Sequence, residues 1–178
     1  MFDRAFPDLD ETTATSDEAR TILRETRAQF GGVPRVVARM ASSPALYRAF
    51  MAQVHAFDAT SLSPAERETV ILVVAREIGC SVCVALHRPL LTKAAGAEVT
   101  RALLDRAELP VARLRALAEY AQALLDTRGD VGEDAWRSFL ANGYSHEQAL
   151  EVVLGVGAYT MSTFANRLTK GTLALTSS

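Results

Sequence analysis

The sequence predicts an all-α fold, a single helical domain of about eight helices, on three observations. Apolar residues recur three and four positions apart along nearly the whole chain, the spacing that gathers them on one face of a helix. No segment shows the polar–apolar alternation of a strand. Helix start and stop residues punctuate the pattern at short intervals. Of 178 residues, 49% are hydrophobic and 22% charged, so the chain carries enough apolar side chain for a sizeable core.

The elements follow in order. A coil-like lead over 1–15 ends where Thr15-x-x-Glu18 resembles a capping box. A first helix then covers about Ser16 to Phe30 and stops at Gly31-Gly32. A short helix from Pro34 ends before Ser43-Pro44, where proline at the first helical position starts the next, to about Phe57. Ser63-Pro64-Ala65-Glu66 is the strongest start signal: Ser63 caps, Pro64 loses nothing at the first position, and Glu66 can reach back to the Ser63 amide. That helix runs to about Ile78 and Gly79 stops it. The next begins near Cys80, and Pro89, lacking an N–H and crowding the carbonyl one turn back, predicts a kink or break. Further helices are expected over about Ala97 to Arg106, Pro110 to Thr127, Glu133 to Ala141, and Ser145 to Leu168. Ser145-x-x-Gln148 echoes Ser63-x-x-Glu66. This reads either as a degenerate two-fold internal repeat or as two unrelated capped amphipathic helices. If a repeat, only its first copy carries chemistry, because Ser162, Ala165 and Thr169 fall on Cys80, Cys83 and His87.

Charge narrows the function. A net charge of −2 leaves no basic excess to neutralise phosphates, so no nucleic-acid partner is expected. The longest apolar run, Thr69 to Ala75, is far too short to span a bilayer, and no membrane partner is expected. The first residues are polar and acidic, without the apolar stretch of a secretory leader, which predicts a cytoplasmic protein. There thiols are kept reduced, so a close cysteine pair points to metal binding or redox chemistry before a permanent staple.

The two cysteines are Cys80 and Cys83, in Cys80-Ser81-Val82-Cys83-Val84-Ala85-Leu86-His87. On a helix Cys80, Cys83 and His87 share one face. A helix start at Cys80 adds exposed N–H groups and the positive end of the helix dipole, both of which stabilise a thiolate. His87, one turn beyond Cys83, can take the thiol proton. A fourth group follows if Gly79 lets the flanking helices fold back antiparallel. Glu68 then lies about 16 Å and His87 about 12 Å from the turn, at roughly 1.5 Å per residue, within side-chain reach of one level. Glu68 can there orient His87 and stabilise its imidazolium.

These residues, spaced E-x11-C-x-x-C-x3-H after Leu62-Ser63-Pro64-Ala65-Glu66-Arg67-Glu68, resemble the alkylhydroperoxidase D-like branch of the carboxymuconolactone decarboxylase family. The likeness extends upstream through Gly32-Val33-Pro34 and Ser43-Pro44-Ala45-Leu46. It implies an alkylhydroperoxidase D-like domain over 16–178, all-helical and assembled as a homotrimer or homohexamer. It also implies reduction of hydroperoxides through a redox disulfide, the pair being reset by an external thiol or dithiol donor. No cofactor is expected, and no metal, because a second CxxC or His pair is absent. By the same resemblance Cys83 is the peroxide-attacking cysteine, Cys80 the resolving one, and His87 with Glu68 the proton relay. Two positions depart from the family pattern. Val82 stands where His or Tyr is common, and Pro89 follows close on His87.

Other readings stay open beside this one. The four residues could instead be ligands of a structural zinc, or the cysteines plain core residues. A decarboxylase-like lyase would use His87 and Glu68 and leave the cysteines idle. A non-catalytic redox sensor or partner-binding module would oxidise once and stop. Trp136, Phe139, Tyr144 and Tyr159 read as core or subunit-interface anchors, and Met40, Met51 and Met161 as gap-fillers. His55 and His146 read as surface or supporting residues, and Asn166-Arg167 as solvent-exposed in preference to polar lining of the last helix. Gly155-Val156-Gly157 lies mid-helix after no strand, so it is no dinucleotide-binding loop.

Overall fold

The structure, a computed structural model, describes residues 6–176. Nine helices are present among them: α1 Asp17–Phe30, α2 Arg35–Met40, α3 Pro44–Asp58, α4 Pro64–Ile78, α5 Ser81–Ala95, α6 Ala97–Leu104, α7 Ala112–Thr127, α8 Glu133–Ala141 and α9 His146–Thr169. The β structure among the described residues is one isolated antiparallel bridge between Pro34 and Leu175. The all-α expectation holds, with nine helices in place of about eight. None of them is long and apolar enough to cross a membrane. The first five residues of the lead expected over 1–15, and the last two of the domain expected over 16–178, lie outside the described range.

Two compact units divide the chain. Of the described residues, those up to Ala52 with those from Phe164 form one, and Gln53–Thr163 the other. In the first, Leu9, Ile22, Leu23, Val33 and Ala38 make a buried cluster. Arg39 pairs with Asp8 at 2.6 Å and donates to the Thr169 and Lys170 carbonyls at 2.6 and 2.9 Å, tying chain segments far apart in sequence. The second unit is built around α4, which packs against α5, α6 and α7. Every residue from Thr69 to Ala75 is buried. An apolar helix covered on all sides rather than on one stripe is the expected centre of a bundle.

Local signals set most boundaries. Ser63 forms the expected capping box: its hydroxyl accepts from the Glu66 N–H at 3.3 Å, and Glu66 Oε2 accepts from the Ser63 N–H at 2.7 Å. Ser145 and Gln148 make the same reciprocal pair at 3.1 Å each. The echo between them ends there, because α9 continues unbroken through Met161, where the first copy turns at Gly79.

Other boundaries correct the sequence reading. Ser16, not Thr15, caps α1, accepting from the Ala19 N–H at 3.1 Å. Residue 19 is an alanine and cannot return the bond, so no capping box forms. A left-handed Arg106, at φ 57°, stops α6 at Leu104, and an extended Val111 delays α7 to Ala112. Pro89 lies inside α5 without breaking it. Beyond it Leu91 is fully buried, and packing of α5 on α4 and α6 offsets the lost hydrogen bond.

Two features of this unit give measurable expectations. Phe57 is fully buried, and a Cβ built on Gly155 would lie 2.5 and 2.6 Å from its ring carbons. Gly155→Ala gains up to ~1 kcal/mol of helix propensity but costs about 1–3 kcal/mol in overpacking, so net destabilisation is expected. At Gly157 an added Cβ meets nothing within 4 Å, and Gly157→Ala should stabilise by up to ~1 kcal/mol. Chemical denaturation midpoints compare the two; a stabilised Gly155→Ala would show that Phe57 has room to move.

Glu66 gives the second. Its carboxylate bonds Arg113 Nε at 2.7 Å, and the Arg113 guanidinium lies 3.9 Å over the Tyr144 ring. Burial alone would raise the Glu66 pKa, but the Ser63 N–H and Arg113 outweigh it and bring it below 4.5. A depressed carboxylate stabilises the fold above its unfolded value and loses that contribution as pH falls through the folded one. Glu66→Gln keeps the cap but loses the ion pair, at a cost of about 1–2 kcal/mol at neutral pH. The gap to the parent should narrow as pH drops below 4.5. A gap that stays constant with pH would contradict the assignment.

Candidate active site

The site grows from the turn between α4 and α5. Gly79, at φ 75° and ψ 42°, adopts the left-handed conformation that a Cβ would penalise. Its N–H donates to the Arg76 carbonyl at 3.2 Å, and the Cys80 N–H to the Ala75 carbonyl at 2.8 Å. This double bond pattern ends α4 and reverses the chain at once. Cys80 therefore becomes the N-cap of α5, and its Sγ accepts from the Cys83 N–H at 3.3 Å.

Cys80 and Cys83 are bonded to each other through their sulfurs, with Cα atoms 5.4 Å apart. Both are buried, packed with Ala75 and flanked by Val82 and Val84. The N–H that contacts Cys80 Sγ would equally stabilise a thiolate there once the pair is reduced.

One turn beyond Cys83 on the same helix, His87 Nδ1 lies 2.8 Å from Glu68 Oε2 on α4. The side chains are 16% and 15% exposed, so water screens the pair only weakly. With the carboxylate as acceptor, the neutral ring carries its proton on Nδ1 and leaves Nε2 as the basic nitrogen. The turn at Gly79 thus sets Glu68 and His87 at one level, as the helix-rise argument requires.

A fifth side chain comes from α9. The Tyr159 ring stands edge-on to His87, centroids 5.3 Å apart and planes at 89°, and meets Phe57 at 6.1 Å on another side. Tyr159 is buried. Burial, then the charges of Glu68 and Asp58, push its hydroxyl well above the ordinary tyrosine range, with Arg67 opposing. It stays neutral at any physiological pH.

No protein-family model matches the chain, and no curated protein matches it. Solved structures do. An alkylhydroperoxidase AhpD core, an uncharacterized peroxidase-related protein from Ralstonia eutropha JMP134, superposes with a TM-score of 0.76 at 21% identity, over 96% of this chain and 91% of that one. An uncharacterized peroxidase-related protein from Silicibacter sp. TM1040 gives 0.75 at 20% identity, covering 97% and 93%. The fold is that of the alkylhydroperoxidase AhpD core. The debrominase Bmp8, as a cysteine-to-alanine variant in complex with 2,3,4-tribromopyrrole, shares it at a TM-score of 0.70 and 17% identity, over 95% and 91%.

On this AhpD-type framework the four residues singled out in the sequence form two pairs, Cys80 with Cys83 at the start of α5 and His87 with Glu68 one turn further along it. Among the described residues no group of three or more His, Cys, Asp or Glu side chains is arranged to hold a metal ion. His55 and His146 are exposed, and His146 packs edge-on to Trp136. Asn166, expected in solvent, is buried; Arg167 beside it is exposed. Trp136, Phe139 and Tyr144 gather into one aromatic cluster with Tyr120. Tyr159 is the residue whose place the sequence did not disclose. Nothing in its local pattern distinguishes a ring against His87 from a core anchor.

Proposed function

We propose that this protein is a thiol-dependent peroxidase that reduces hydroperoxides through Cys80 and Cys83, with His87 and Glu68 as proton relay. The observation that carries this reading is the bonded cysteine pair at the start of α5, with a carboxylate-anchored histidine one turn further along the same helix. In the reduced enzyme the Cys83 thiolate attacks the terminal peroxide oxygen. The O–O bond breaks, the alcohol leaves with a proton relayed by His87, and Cys83 becomes a sulfenic acid. Cys80 attacks that sulfur, water leaves, and the disulfide forms. Two thiol equivalents from an external donor then restore the dithiol and leave as the donor disulfide. A cytoplasmic setting fits, since it supplies such donors.

Stopped-flow mixing of the reduced protein with hydrogen peroxide and with an organic hydroperoxide, with and without a dithiol donor, tests the reading. Continuous peroxide consumption with the donor is expected. One oxidation without turnover would identify a sensor, and no reaction would leave the lyase reading. A parallel incubation with 2,3,4-tribromopyrrole checks the chemistry named for Bmp8. Bromide release without peroxide turnover would displace the peroxidase.

We also propose that the chain works as a homo-oligomer, trimeric or hexameric. Leu86 and Leu90 on α5, and Leu150 and Val153 on α9, are large apolar side chains left exposed on the single chain. Light scattering should give a multiple of the monomer mass at micromolar concentration. A monomer across that range would refute this.

A further inference from the structure

We infer that Tyr159 is a positioning residue of this site: its buried ring walls the His87 imidazole and holds it against Glu68. The inference rests on the proposed peroxidase reading for its kinetic consequence, though not for its geometry. An imidazole rotates about two bonds, and the hydrogen bond from Nδ1 to Glu68 fixes only one point of it. A second contact is needed to fix the plane and so the direction in which Nε2 points. Tyr159 supplies it, perpendicular to His87 at 5.3 Å.

The wall is itself supported. Phe57, fully buried, meets Tyr159 at 6.1 Å and is seated on Gly155, one turn earlier on α9, where an added Cβ would lie 2.5 Å from its ring. Gly155, Phe57, Tyr159, His87 and Glu68 thus form a continuous packed series from α9 through α3 back to α5 and α4. Burial and the charges of Glu68 and Asp58 keep the Tyr159 hydroxyl protonated, so it is no base for the cysteine proton. The geometry behind the inference is the ring contact with His87, and phenylalanine, which keeps that ring, is the conservative replacement.

Two readouts test this. The first is the single-turnover rate of disulfide formation when reduced protein meets excess peroxide. The second is the ring-nitrogen NMR signature of His87 in the reduced protein. Tyr159→Phe should stay within about 2-fold of the parent rate and keep a single Nδ1-protonated His87 signal. Tyr159→Leu should slow disulfide formation by ~10-fold or more, since small misplacements of a reacting group carry penalties of that order. Its His87 signals should broaden or split between tautomers. Tyr159→Met, longer and more adaptable than leucine, stands in if the leucine variant does not fold. Full recovery of both thiols with dithiothreitol shows that the cysteines themselves are intact. Tyr159→Phe as slow as Tyr159→Leu would overturn the inference by showing that the hydroxyl acts. Unchanged rate and NMR signals in Tyr159→Leu or Tyr159→Met would overturn it too. A parent protein inert to peroxide would sink the peroxidase reading alone, and the His87 spectra would still decide the role of Tyr159.

Discussion

Cys83→Ser is expected to abolish peroxide consumption, while Cys80→Ser should still form one trappable sulfenic acid, at Cys83, and then stop. The two thiols differ in surroundings. Cys80 caps α5, where the Cys83 N–H at 3.3 Å and the helix dipole favour a thiolate on it. Cys83 has His87 one turn away on the same face, so its proton has an acceptor whose far nitrogen is anchored on Glu68. Thiolate stability and proton acceptance therefore point to different sulfurs. The proposed mechanism weights the second, because attack on peroxide also requires a proton for the departing oxygen, and a proton held on His87 supplies it. Dimedone labelling with peptide mapping after one equivalent of peroxide reads the outcome. Label on the Cys83→Ser protein and none on the Cys80→Ser protein would reverse the assignment.

The second large effect belongs to the relay. His87→Ala should slow peroxide-driven oxidation of the dithiol by about 10²–10⁴-fold, the usual contribution of a positioned acid–base group. Glu68→Gln should cost roughly 10-fold or more, since glutamine keeps the shape but not the charge that steadies an imidazolium. Removing both should cost little more than His87→Ala alone, because Glu68 acts through His87. The packing consequences differ in kind. Both side chains are mostly buried, but neither belongs to the fully buried apolar run of α4, so denaturation midpoints should move much less than rates. Rate losses that multiply in the double variant would mean the two residues act separately and that the 2.8 Å bond is incidental to turnover.

How much of this was legible in the sequence follows from how far apart the residues lie. The stretch from Ser63 to His87 is a helix, a turn and a helix, and each boundary has a local cause: a reciprocal cap, a left-handed glycine, a cysteine at the N-cap. Helix rise alone then brings Glu68 level with His87. Tyr159 is 72 residues beyond His87, and its position depends on how α9 packs, information that no local spacing holds. Pro89 misled for the same reason. Its local cost is genuine, but the burial of Leu91 and the contacts of α5 with two neighbours decide the outcome. Asn166 and Arg167 read alike from the sequence, yet Asn166 is buried and Arg167 exposed, because burial is set by the face of α9 each occupies. Thr15 and Ser16 are both competent caps, and which one acts depends on where the chain turns extended.

Intact-mass measurement of the fully reduced protein, before and after one equivalent of peroxide, decides whether Cys80 and Cys83 act as a redox couple. A loss of two hydrogens that a dithiol donor reverses is expected, with the modification mapping to the peptide that holds Cys80 and Cys83. A reduced protein that carries one zinc, ignores peroxide and gives up the metal only to a chelator would contradict it. So would stable gain of oxygen at one cysteine with no disulfide formed.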